Sequence, residues 1–592
     1  MNLWLTCVLC LALRASRVSA DLPVVTTSQG RITGTTLQFR PVVHPELARD
    51  VDAYLGIPYA EPPVGPLRFK APVAKSWSGE LQATKIGNRC PQPKFPLGRF
   101  TLTGSFGEDC LCLDVFVPKP VPPNAAVLVY FHGGGFFLGA GAIEGLLPTP
   151  IAAIGDVITV SVNYRLGALG FLSTGDDVIA GNMGLLDQRL ALEWVRDNIR
   201  AFGGDPSRVA IFGQSAGAAS AGLQMVSPGS AGLFSGVIVQ SGDASPTWAT
   251  APKELARKRA FTFGGLVGCE HDTSEELLEC LQNNLDVDTI INNQSNESLI
   301  DGERPLSFTP VIDGNFLPGI PSELYENGAI NDAVTIIGEN ADEGMCIITP
   351  IYQTDEEPFI NSTSYDSLSL MCTSMVSKEP IVAKAIKMMY TDATCTDGPG
   401  CNYLQSLSQV CGDIMFVRYT DKVARSFTKA GRKVYRYHFT HTPTTPLLDT
   451  PPWAGATHSE DLTFVFGLPL VAQDGDAFTE EEVEMSIRII NHWANLAKTG
   501  NPNLSSLDAE LTDEEKKTEW PLFTVEGLEY KDLTPEMLNG RGIKAQECRF
   551  WNDFIPELVE TIEKAKKGRA SSFSYGDGFG SKTCTEKTCP ED

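Results

Sequence analysis

The segment that most restricts how this chain can fold is a β-branched run, Val209 to Phe212, that leads directly into Gly213-Gln214-Ser215-Ala216-Gly217. It is a G-x-S-x-G motif set between a predicted strand and a predicted helix. A chain that passes from strand to helix this sharply strains the backbone at the serine. Only small neighbours leave it room to double back, and Gly213, Ala216 and Gly217 supply that room. The helix that follows aims its free N–H groups at the serine, a location suited to an anion. Similar β-branched runs recur at Val127 to Phe131, Val157 to Val162, Val237 to Val239, Val334 to Ile337 and Val434 to Phe439. Helix-like segments lie between them, such as Leu185 to Phe202, where Leu186, Leu190 and Trp194 repeat at helical spacing. This alternation predicts an α/β fold with a central, mostly parallel sheet flanked by helices.

A serine that carries out acyl transfer needs donors for the charge that develops on the carbonyl oxygen. His132-Gly133-Gly134-Gly135 follows another predicted strand, and glycine there lets backbone N–H groups approach a substrate. The oxyanion hole is assigned to the N–H groups of Gly134, Gly135 and Ala216. In strand-elbow-helix sites the partners follow in the order nucleophile, acid, histidine. Of the histidines after Ser215, His438 falls in a predicted strand and His492 in a helix-like run. His458 sits in a loop ahead of Leu462 to Phe466, which makes it the candidate base, with His441 the runner-up. Asp342 and Glu343 follow the run Val334 to Ile337, and spacing alone does not choose between them as the acid.

The formal charge of −26 argues against nucleic acid as a partner, because counterion release requires clustered Lys and Arg. Residues 1–20 read as a signal peptide, with an apolar run from Leu3 to Leu13 and a small-x-small ending at Ala20. Residues 21–567 then form one catalytic domain, and 568–592 a flexible tail rich in Gly and Ser. The uncharged stretch Ala125 to Ile143 is rejected as a membrane span because His132 and three glycines interrupt it. The mature chain is expected to be secreted, with no membrane span. Export makes disulfides plausible for the thirteen cysteines beyond Ala20. Asn293, Asn296, Asn361 and Asn503 are glycosylation acceptors by pattern. The cysteines and histidines show no metal-ligand spacing, and the chemistry requires no metal or organic cofactor.

From about Ile32 to about Leu558 the chain resembles the type-B carboxylesterases, the cholinesterase-like branch of the α/β-hydrolases. The resemblance is carried by YLGIPYAEPPVGPLRF, EDCLCLDVFVP, YFHGGGF, NYRLGALGFL, GNMGLLDQRLALEWVRDNI, FGGDP, FGQSAG, VIVQSG, the DEG triplet and HSEDLTFVFGLP. It implies Glu343 as the acid, His458 as the base, and disulfides joining Cys90 to Cys110, Cys269 to Cys280 and Cys411 to Cys548. Cys395 and Cys401 could close a local loop, while Cys112, Cys346 and Cys372 have no assigned partner.

Two departures bear on substrate. Cholinesterases carry a Trp between the first pair of cysteines that stacks on choline, but Pro91 to Asp109 contains none. Gln214 also stands where cholinesterases have Glu. Trp248, Leu306 and Phe308 align with acyl-pocket positions, and the GQSAG elbow is shared with juvenile-hormone esterases. The expectation is a serine carboxylesterase acting through an acyl-enzyme on small, neutral, lipophilic esters, juvenile-hormone-like methyl esters among them. A catalytically silent adhesion or carrier protein of the same fold and a lipase are the competing readings. Oligomeric state is not readable from the sequence.

Overall fold

Apolar runs without alternation become interior strands when both of their faces are covered, and these runs organise the molecule. The computed structural model describes residues 22–94, 104–143, 145–300, 304–392, 394–395, 400–471, 477–513 and 515–573. The expected signal peptide, and residues 574–592 of the expected tail, lie outside them. The closing helix runs Ile555–Phe573, past the expected start of that tail.

In chain order the strands are β1 (Val24–Thr27), β2 (Gly30–Thr33), β3 (Thr35–Phe39), β4 (Arg49–Pro58), β5 (Glu80–Gln82), β6 (Cys112–Lys119) and β7 (Ala125–Phe131). They continue with β8 (Ile158–Val162), β9 (Gly204–Gln214), β10 (Gly236–Gln240), β11 (Val334–Asn340), β12 (Val434–Phe439), β13 (Glu529–Leu533) and β14 (Asn539–Arg541). Among the described residues, eleven strands form one sheet in the order β14-β13-β12-β11-β10-β9-β7-β8-β6-β4-β3, and β1-β2-β5 form a small second sheet. From β8 to β13 every neighbouring pair is parallel, and antiparallel strands close both edges.

Successive residues of each central strand enter opposite layers. Val127, Val129 and Phe131 of β7 join one core with Val209 and Ile211 of β9, beneath the helices Met183–Asn198 and Ala216–Val226. Leu128, Tyr130, Ala210 and Phe212 join the other, which the helix Glu480–Thr499 covers with Met485, Ile489 and Trp493. That helix starts at a capping box in which Thr479 accepts from the Glu482 N–H while the Glu482 carboxylate accepts from the Thr479 N–H.

The register levels the carboxyl ends of the parallel strands. Phe131 lies opposite Gly213, Gln214 opposite Gln240, and Gln240 opposite Gly338. The segments after β7, β9 and β11 therefore emerge along one edge, where open α/β sheets build their sites.

One disulfide expectation is corrected. Cys90 is bonded to Cys110 and Cys269 to Cys280, but Cys411 is bonded to Cys372, and Cys548 is a buried free thiol. The helices Ser362–Thr373 and Leu404–Gly412 pack together in a third core, which brings the Cα atoms of Cys372 and Cys411 to 5.3 Å, within reach of a disulfide. Cys395 and Cys401 form a fourth bond.

Candidate active site

Ser215 occupies the turn between β9 and its helix at φ 58° and ψ −122°, a region that non-glycine residues rarely enter. Its N–H donates to the Gln240 carbonyl at 2.9 Å, which pins the elbow to β10. A Cβ at Gly217 would stand 2.0 Å from the Phe131 carbonyl oxygen, so a larger residue there would force the helix off the sheet.

The glycine loop after β7 faces this turn. Gly134 has φ 105° and Gly135 φ 60°, conformations that cost glycine little. Among the described residues, no protein acceptor takes a hydrogen bond from the N–H of Gly134, Gly135 or Ala216. His132 braces the loop: its Nδ1 lies 2.9 Å from the Gly133 carbonyl, and its ring stacks on Tyr164 at 4.4 Å. Burial lowers its pKa to about 4, so it is neutral at ordinary pH.

The turn after β11 carries the acid candidates, and the structure separates them. Glu343 is buried, with Oε2 2.5 Å from His458 Nδ1 and Oε1 accepting from the Asn340 N–H at 2.8 Å. Asp342 instead accepts from the Ala456 N–H at 3.0 Å, and so holds the loop that carries His458. His441, the runner-up histidine, is taken by Glu482 at 3.0 Å.

Two contacts at His458 and one at the residue before it were not foreseen. Gln214 Nε2 lies 3.1 Å from His458 Nε2. With Nδ1–H given to Glu343, Nε2 carries the lone pair and accepts from the Gln214 amide. Phe416 stacks on the imidazole at 4.4 Å and 25°. Asn340 donates from Nδ2 to the carbonyl of Thr457, the residue before His458.

Ser215 and His458 open onto a cavity of about 440 Å³. Leu138, Ile143, Leu146, Leu447, Leu448 and Leu462 line it, and no described lining residue is a carboxylate. Leu306 and Phe308 line a smaller cavity of about 140 Å³, and Gly135 and Phe137 border both. Trp248 lies in the core, where its Nε1 donates to the Met415 carbonyl and its ring packs between Phe136 and Phe416. It does not line either cavity. The leucines had no readable signal, because loops distant in sequence converge on the cavity only in the folded chain.

Of the glycosylation candidates, Asn296 and Asn361 are exposed. Asn293 and Asn503 are partly buried, and the Asn503 amide bonds the Trp520 backbone on both sides. No helix among the described residues is long and apolar enough to cross a membrane.

The sequence model of the Carboxylesterase family matches residues 21–551. Acetylcholinesterase of Bungarus fasciatus is 35% identical over 568 residues, covering 92% of this chain and 88% of that protein. A family match over nearly the whole chain and this degree of identity, on an eleven-stranded α/β sheet, establish that the chain belongs to the carboxylesterase family of α/β-hydrolases, enzymes that hydrolyse carboxylic esters.

Proposed function

We propose that the protein hydrolyses neutral, lipophilic carboxylic esters, with Ser215 as nucleophile, His458 as general base and Glu343 as the acid that orients it. The observation that carries the substrate class is the cavity beside His458, whose described lining is mostly apolar and holds no carboxylate, with an amide, Gln214, beside the imidazole. A quaternary ammonium would lose its hydration there and gain no compensating charge.

In the first half-reaction, Ser215 Oγ attacks the carbonyl carbon and its proton passes to His458 Nε2. The Gln214 amide must first leave that nitrogen. The oxyanion is held by the N–H groups of Gly134, Gly135 and Ala216, and losing one such donor costs about 3–4 kcal/mol in barrier height. The carbon–alkoxide bond then breaks, and His458 returns the proton to the leaving alcohol. Water repeats the sequence and releases the carboxylic acid and free Ser215. Because the base must start neutral, activity rises with pH as the imidazole loses its proton.

The acyl group is assigned to the side of Leu306 and Phe308, and the other half of the ester to the larger cavity. A juvenile-hormone-like methyl ester fits this reading if its long apolar part takes the larger cavity. The apolar leader at residues 1–20 and the four disulfides support export into an oxidising compartment.

The test is active-site labelling with a fluorophosphonate and turnover of p-nitrophenyl butyrate, in wild type and Ser215→Ala, followed by acetylcholine against its neutral isostere 3,3-dimethylbutyl acetate. Wild type labels and turns over, the variant does neither, and the neutral ester has the higher kcat/KM. Folded wild-type protein that neither labels nor turns over overturns the triad. A preference for acetylcholine overturns the substrate class alone.

A further inference from the structure

We infer that Asn340 is a positioning residue for ester hydrolysis, closing a hydrogen-bonded ring that holds Glu343 and His458 at a fixed separation. The inference rests on the triad proposed above.

Asn340 is the last residue of β11 and is fully buried. It donates twice, in two directions. Its backbone N–H binds Glu343 Oε1 at 2.8 Å, and its Nδ2 binds the Thr457 carbonyl at 2.7 Å. Glu343 Oε2 meets His458 Nδ1 at 2.5 Å, and His458 is covalently next to Thr457. The ring thus runs from Asn340 to Glu343, to His458, back along the chain to Thr457, and across to the Asn340 side chain. Asp342 ties the same loop one position earlier, through its N–H to the Ala456 carbonyl and its carboxylate to the Ala456 N–H, both at 3.0 Å. Those bonds fix the loop but touch neither Glu343 nor His458.

The other end of the amide shows what the side chain is for. Asn340 Oδ1 is buried with no hydrogen-bond partner, an arrangement that folded proteins avoid. An aliphatic residue would fill the place without that cost, but it could not supply the donor to Thr457.

Proton transfer makes the donor matter. As Ser215 attacks, His458 becomes an imidazolium whose Nδ1–H must stay on Glu343 while Nε2 serves first the serine and then the leaving group. If the loop drifts, the two partners separate at the moment charge develops. Misplacement by about 1 Å can cost about 100-fold in rate. Glu339, Asp342 and Asp461 also act on Glu343 electrostatically, with Arg436 and Lys544 as nearby counter-charges. A neutral substitution at Asn340 leaves all of these in place.

The test uses the full-length enzyme with Asn340→Leu and Asn340→Ala, its active sites counted by fluorophosphonate labelling. For each we measure kcat and KM on p-nitrophenyl butyrate, the pH profile of kcat/KM, and Tm. Per titrated site, both variants lose about 10–100-fold in kcat with KM nearly unchanged. The acid limb of kcat/KM moves to lower pH, because a loosened Glu343 contact stabilises the imidazolium less. Asn340→Leu keeps its Tm, which separates positioning from folding, and it decides the question if Asn340→Ala fails to fold. Wild-type kcat and an unmoved acid limb in Asn340→Leu overturn the inference while the triad stands. Wild type that does not label overturns both.

Discussion

At Ser215 a side-chain-bearing residue sits in the left-handed half of φ, and the glycines and alanine around it were the visible sign of that strain. The hydrogen-bond partners of the imidazole were not visible, because each comes from a segment remote in sequence. Gln214 was read as the absence of a negative charge and as part of the GQSAG elbow, yet its amide lies 3.1 Å from His458 Nε2, the nitrogen proposed to receive the serine proton. A carboxylate there could not donate to the neutral base but would stabilise the imidazolium. Gln214→Glu is therefore expected to move the acid limb of kcat/KM to higher pH. A pH–rate titration of the variant checks this, and an unmoved limb would mean that residue 214 does not face the base during turnover. Trp248 shows the opposite limit: its alignment suggested a pocket wall, but its indole N–H found the Met415 carbonyl and its ring filled the core.

At the level of elements, the apolar runs located the central strands, since an interior parallel strand has no polar face to interrupt the pattern. Two features of the same elements escaped that logic. Arg436 on β12 is buried, and it binds Glu339 on β11 at 2.7 Å and Asp421 at 2.9 Å. Asp421 also accepts from Arg425 at 2.7 Å, which continues the chain of charges toward the surface. A strand with a charge at its centre reads as half-exposed until its neighbours are known. Arg436→Met removes the shared cation and leaves two buried carboxylates facing each other, which is expected to cost about 3–5 kcal/mol of stability. Urea unfolding of the variant measures the loss, and a change below about 1 kcal/mol would show that the carboxylates simply take up protons. The pairing of Cys411 is the second feature. The resemblance implied Cys548 as its partner, and the packing of two helices delivered Cys372 instead.

For the whole molecule, the formal charge of −26 is only part of the electrostatic account, because several carboxylates are buried. Burial raises the pKa of Glu339 and of Glu460 to about 7, and those of Asp114 and Asp243 to about 6. Between the ordinary carboxylate range and these values the folded protein holds protons that the unfolded chain has released. The contribution of these carboxylates is complete below the ordinary range and is lost as pH rises through about 6 to 7, while the buried His132, His438 and His492, lowered to about 4, 3 and 4, act with the opposite sign up to the ordinary imidazole range. Carboxylates held low, such as Glu482, act at more acid pH and do not enter this window. Glu460→Gln, which cannot ionise, is expected to shift the slope of stability against pH upward between about pH 5 and about pH 7.5 relative to wild type, by up to about 1.4 kcal/mol per pH unit. Scanning calorimetry across that range checks it, and parallel curves for wild type and variant would exclude Glu460 as a source.

The sequence by itself determined the α/β class, the elbow at Ser215 and the order of the site segments, because these follow from periodicity, glycine sterics and local turns. The tertiary structure decided which carboxylate faces His458, which cysteine reaches Cys411, what lines the cavity and what holds Glu343 and His458 together. Each of those depends on the distance between residues far apart along the chain, and only the packing of the sheet against its helices sets such distances.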